Sequence, residues 1–219
     1  MVMMRLLLFL FGISGGTVWA SPPSILVLGD SLSAAYGIDT QAGWVNLLQQ
    51  RLAAEGFAHR VVNASISGET TEGGRARLPG VLEEHRPATV IIALGGNDGL
   101  RGLPLTAMRA NLQAMIRASR EQGAQVLLAG VRLPPNYGKT YTGKFQQVFR
   151  ELAAEDGVAS VPRLLEGVAG DTRQMQTDGM HPRANAQVRI LDNLWPALRP
   201  LLEREAPLSA DAPPRPAAQ

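Results

Sequence analysis

The run Ser24-Ile25-Leu26-Val27-Leu28 is almost wholly apolar and stops at Gly29-Asp30. A half-exposed strand alternates apolar and polar positions, so an unbroken run of this kind predicts a strand buried on both faces, as in the centre of a parallel sheet. Similar runs from Arg60 to Asn63, Thr89 to Leu94 and Gln125 to Ala129 predict three more strands, and Val158 to Val161 is a weaker fifth candidate. Between them, apolar residues recur at helical spacing with charges interleaved. Helices are therefore expected over Trp44 to Glu55, Arg75 to Glu84, Pro104 to Gln122, Gly143 to Glu155 and Pro182 to Leu202. Strands alternating with helices at this rhythm predict an α/β fold: a three-layer α/β/α sandwich on about five parallel strands, joined by right-handed crossovers.

The ends of the chain read differently. Residues Met1 to Ala20 carry Arg5, an apolar stretch from Leu6 to Val18 broken by glycines, and Val18-Trp19-Ala20 before Ser21. A charged head, a core and a small-residue cleavage site predict a signal peptide at 1–20, hence a periplasmic or secreted protein. The stretch falls short of the roughly 18–20 apolar residues that span a bilayer, so no stable membrane span is expected after cleavage. From Ala206 to Gln219 the chain turns to Pro and Ala with few apolar anchors, which predicts a mobile tail. A single domain is expected over 21–205, since no repeat and no linker divides it.

Composition removes several chemistries. Lys and Arg number 21 against 19 Asp and Glu, and they are scattered, so there is no electrostatic footprint for nucleic acid. With no cysteine there is neither a disulfide nor a thiol nucleophile, and three histidines leave little for a catalytic zinc site. Neither metal nor cofactor is expected, and no G-x-G-x-x-G follows the first strand to suggest a dinucleotide.

In open parallel sheets, ligands sit outside the carboxyl ends of the strands. After the first strand come Gly29-Asp30-Ser31-Leu32, after the second Asn63-Ala64-Ser65-Ile66-Ser67-Gly68, and after the third Gly95-Gly96-Asn97-Asp98. A serine at a strand-to-helix turn is exposed enough to be a nucleophile, although a helix cap is an equal use of Asp30 or Ser31. His59 and His85 precede the second and third strands at the opposite rim and read as solvated residues near helix ends. That leaves His181 as the base. Pro182 places it at a helix entrance, and Asp178, three residues earlier, can turn back to its Nδ1 unless Asp178-Gly179 is a plain turn. The N–H groups of Ser31 and Gly68 and the amide of Asn97 are candidate oxyanion donors, with simple turn roles as the alternative for Gly68 and Asn97.

Together these four blocks, ending with Asp178-Gly179-Met180-His181-Pro182, resemble those of the SGNH (GDSL) hydrolases from about Ile25 to Leu202. Leu94 to Gly102 and Arg132 to Gly138 resemble most the periplasmic acyl-CoA thioesterase, arylesterase and lysophospholipase group of that family. The resemblance implies a flavodoxin-like fold, Ser31 as nucleophile with Asp178 and His181 completing the triad, and an oxyanion hole of Ser31, Gly68 and Asn97. The implied substrates are small acyl esters and thioesters of medium to long chain, lysophospholipids included. Leu100, Leu103, Leu133 and Pro134 are candidates for an apolar acyl slot, and Arg101 and Arg132 for contact with a substrate phosphate. Two rival functions remain at this point: a polysaccharide deacetylase of the same family, and a non-catalytic periplasmic ligand-binding domain.

Overall fold

The computed structural model describes residues 22–205. The expected signal peptide at 1–20 and the Pro/Ala-rich tail at 206–219 lie outside the described residues. Five parallel strands, β1 (Ser24–Gly29), β2 (Arg60–Asn63), β3 (Thr89–Ala93), β4 (Gln125–Ala129) and β5 (Ala159–Val161), form one sheet in the order β2-β1-β3-β4-β5. This is the flavodoxin-like order implied by the resemblance. The expected runs coincide with the strands to within one residue at each end.

The strand faces sort the helices. Ile25, Val27, Ile91, Ala93, Leu127 and Ala129 face a core supplied by α1 (Trp44–Ala54) and α6 (Gln187–Glu205). Leu26, Leu28, Val90, Ile92, Val126 and Leu128 point the other way, against α2 (Thr71–His85), α4 (Leu105–Glu121) and α5 (Lys139–Glu155). Because successive strand residues alternate in direction, a run apolar at every position needs two apolar cores, and it has them.

Three helix starts differ from expectation by four residues or more. α2 begins four residues early, because Thr70 accepts a hydrogen bond from the Gly73 N–H and the Asp98 carboxylate accepts one from the Thr71 N–H. α5 also begins four residues early, at Lys139, and takes Gly143 into its first turns. α6 starts at Gln187 rather than Pro182, since Pro182 is held in a β-bridge to Met175 and a short 3₁₀ turn, Ala184–Ala186, intervenes. One helix was not foreseen: α3 (Gly96–Leu100), five residues starting beside Gly95 at φ 109°. Two adjacent glycines and no periodicity hid it.

Candidate active site

The chain leaves β1 toward α1 on one face of the sheet and leaves β3 toward α4 on the other. The crevice between these neighbouring strands is where such a sheet opens to a ligand. Ser31 stands on one lip and Asn97, in α3, on the other.

At the first lip, the Asp30 carbonyl accepts the N–H groups of Ser33 (3.1 Å) and Ala34 (2.9 Å), and the Asp30 carboxylate accepts that of Leu32 at 3.0 Å. Asp30 thus does cap the turn, which frees the Ser31 hydroxyl for another partner. That partner is His181, whose Nε2 lies 2.9 Å from Ser31 Oγ. Its Nδ1 lies 2.6 Å from Asp178 Oδ2, while Asp178 Oδ1 accepts the N–H groups of Met180 (2.9 Å) and His181 (3.0 Å). These bonds, the His181 N–H first, hold the Asp178 carboxyl down at about 2. An ionised carboxylate can only accept, so Nδ1 carries the proton and Nε2 presents its lone pair to the serine. Gly179 makes the tight return with φ 70°.

Expectation and structure part in three places around this relay. His181 is not at a helix entrance: it sits in a loop, pinned where its carbonyl accepts the Gln176 N–H at 2.7 Å. His59 is not solvated but 5% exposed, packed edge-on to Phe57, because the stretch before β2 tucks under α1. Tyr36, which the sequence pattern gave no reason to single out, packs its ring 4.5 Å from that of His181. Gln176 joins the two loops by donating to the Tyr36 carbonyl at 2.8 Å.

Across the crevice, Asn97 Nδ2 donates to the Glu69 carbonyl at 3.0 Å and makes a longer 3.3 Å contact with Asp30 Oδ2. Gly68 adopts φ 80°, in the left-handed region that favours glycine. Asp30 is 4% exposed, and this burial pushes its carboxyl up to about 6. Among the described residues, no three His, Asp or Glu side chains gather as metal ligands, and no helix is long and apolar enough to cross a membrane.

A cavity of about 450 Å³ runs from Ser31, Asn97 and His181 along the loops that follow β4 and β5. Leu100, Leu133 and Pro134 line it, as anticipated. Leu103 does not: it falls beyond the end of α3 and is 36% exposed. Arg132 lines the cavity and Arg101 does not, since Arg101 Nη2 donates instead to the Gly68 carbonyl at 2.8 Å. The sequence missed the far wall, Arg163 to Gly170, because its irregular loop carries no pattern.

Residues 27–188 match the model of the GDSL-like Lipase/Acylhydrolase family. The chain belongs to that family. It is 54% identical over 186 residues to Esterase TesA of Pseudomonas aeruginosa, covering 85% of this chain and 92% of that one. To thioesterase 1/protease 1/lysophospholipase L1 of Escherichia coli strain K12 it is 39% identical over 187 residues, covering 85% and 88%. A crystal structure of TesA superimposes with a TM-score of 0.80 at 55% identity, covering 81% of this chain and 99% of that one. The resemblance carried by the four motifs is thereby borne out, as is the sandwich fold, and the protein is an ester-cleaving serine hydrolase.

Proposed function

We propose that the enzyme works through an acyl-enzyme on Ser31, with His181 as general base and acid, Asp178 as its orienting carboxylate, and the N–H groups of Ser31 and Gly68 and the Asn97 amide as oxyanion donors. The observation that carries this is the continuous relay from Asp178 through His181 to Ser31, at 2.6 and 2.9 Å, opening on an apolar cavity. As Oγ bonds to the acyl carbon, its proton passes to Nε2. The carbonyl electron pair moves onto oxygen, and the intermediate's collapse expels an alcohol or thiol protonated by the imidazolium. Water, deprotonated by the same nitrogen, then releases the acid. Asn97 has two amide hydrogens: one is committed to Glu69, and the other, in its long contact with Asp30, is the one the oxyanion can take over.

The substrates are carboxylic esters and thioesters of medium to long acyl chains, lysophospholipids among them. Leu100, Val131, Leu133, Pro134, Leu165 and Met175 give the cavity an aliphatic lining suited to such chains. A polysaccharide deacetylase would be served better by aromatic walls, and none lines this cavity among the described residues. The signal-peptide pattern at 1–20 supports a periplasmic or secreted location. Replacing Ser31 by Ala should abolish labelling by a fluorophosphonate and lower kcat on p-nitrophenyl butanoate by on the order of 10⁴-fold or more. Undiminished labelling would remove Ser31 from this role.

A further inference from the structure

α3 is only five residues long, yet three side chains at or beside it grip one short segment of the neighbouring loop. Asn97 Nδ2 holds the Glu69 carbonyl at 3.0 Å. Asp98, 3% exposed, accepts the Thr71 N–H at 2.9 Å and the Thr71 hydroxyl at 2.5 Å. Arg101 Nη2 donates to the Gly68 carbonyl at 2.8 Å. The backbone N–H of Arg101 also donates to the Asn97 carbonyl at 3.1 Å. Arg101 therefore bonds both of the residues proposed, with Ser31, as oxyanion donors: Asn97 through its backbone N–H and Gly68 through its side chain.

The end of α3 from which Arg101 projects is itself anchored. Tyr137 Oη donates to the Leu100 carbonyl at 2.9 Å and Tyr141 Oη to the Gly99 carbonyl at 3.1 Å. The nearby Glu69 carboxylate is engaged by Arg77 Nε at 2.5 Å, so Arg101 meets a carbonyl, not a carboxylate. Gly68 sits at φ 80° in a turn closed by the Glu69 N–H on the Ile66 carbonyl at 3.1 Å, so the peptide that carries the Gly68 carbonyl is held on one side by that turn and on the other by Arg101.

The geometry points to Arg101 as a positioning residue of the oxyanion hole: its guanidinium, seated on the Gly68 carbonyl, presets the Gly68 N–H relative to the Asn97 amide before the tetrahedral intermediate forms. Donors fixed in advance need no reorganisation as charge develops, so loosening one slows the chemical step more than it weakens substrate binding. The inference rests on the acyl-enzyme reading with Ser31. It departs from an anion-binding role for Arg101, which lines no part of the cavity.

Because Arg101 is exposed, its replacement leaves both cores intact. The test compares wild type, Arg101→Ala and Arg101→Lys on neutral p-nitrophenyl butanoate and on anionic butanoyl-CoA, alongside thermal unfolding. The alanine variant should lose on the order of tenfold in kcat on both substrates, with KM changed less than about twofold. The lysine variant, which keeps a donor, should recover most of that loss while the Tm values stay close together. Unchanged kcat on the neutral ester with a raised KM for butanoyl-CoA would make Arg101 an anion-recognition residue and overturn the proposal. Equal losses in both variants, tracking a fall in Tm, would reduce it to a structural contact and overturn it too. Ser31→Ala in the same assays tells the two readings apart: if that variant stays active, the failure belongs to the nucleophile.

Discussion

Two carboxylates near Ser31 are driven in opposite directions by their surroundings. Asp178 is over a third exposed along its side chain, but three hydrogen bonds to its ionised form hold it down at about 2. Asp30 is buried, and desolvation outweighs the Leu32 N–H and the nearby His181, raising it from an ordinary 3.8 to about 6. A raised carboxyl favours the protonated form in the folded state, so Asp30 adds stability that is complete below pH 3.8 and lost as pH rises through about 6. The gap corresponds to roughly 3 kcal/mol. Asp30→Asn removes this titration while keeping an acceptor for Leu32, so its unfolding free energy should lack the decline that wild type shows between about pH 4 and 7. Urea unfolding at several pH values checks this, and parallel profiles would contradict it. The residues of the relay were legible because motif, strand end and chain order converged on them. Asp30 was legible only as a cap, which it is; its burial was not, since a charged residue in a loop is ordinarily solvated. Tyr36 was illegible for a related reason: one aromatic in a loop carries no periodic signal, and only the fold brings it to His181.

At the scale of elements, the strands were the easiest part to read, because a residue run apolar on both faces has few other uses. The helix starts were harder. Beside the local Thr70 cap, what extends α2 back to Thr71 is the carboxylate of Asp98, 27 residues away, and no local window contains that bond. α3 needed Gly99 to fit against Leu133 and Phe145, where an added Cβ would come within 2.7 Å of both, and tight packing of that kind leaves no mark on hydropathy. The loops after β4 and β5 were legible only in part, through Leu133 and Pro134, yet these two loops supply much of the cavity's lining. Their aliphatic lining makes a specific demand on kinetics. Each methylene taken from water into such a site is worth about 0.8 kcal/mol, so kcat/KM should rise by roughly fourfold per added methylene until the cavity is filled. A p-nitrophenyl ester series starting from acetyl measures this slope, and an optimum at acetyl would contradict the reading of those loops as an acyl site.

The described residues form one sheet shared by two cores, and this sharing decides how the protein unfolds. β1, β3 and β4 each send alternate residues to both sides, so neither core keeps its floor if the other melts. Local losses should thus be felt globally, as in a single cooperative transition. The tryptophans allow a sharp test. Trp44 and Trp195 both belong to the side covered by α1 and α6, whereas Leu112, fully buried in α4, belongs to the other. Leu112→Ala should cost about 2–5 kcal/mol through lost burial and the cavity left behind. If the sheet couples the cores, this change will lower the denaturant midpoint of tryptophan fluorescence and of far-UV circular dichroism by the same amount. The experiment is cleanest on the chain without residues 1–20, which carry the third tryptophan. A fluorescence transition that stays in place while the dichroism splits would mean that the two sides unfold independently. The crevice between Ser31 and Asn97, whose lips lead into helices on opposite sides, would then lose one lip before the other.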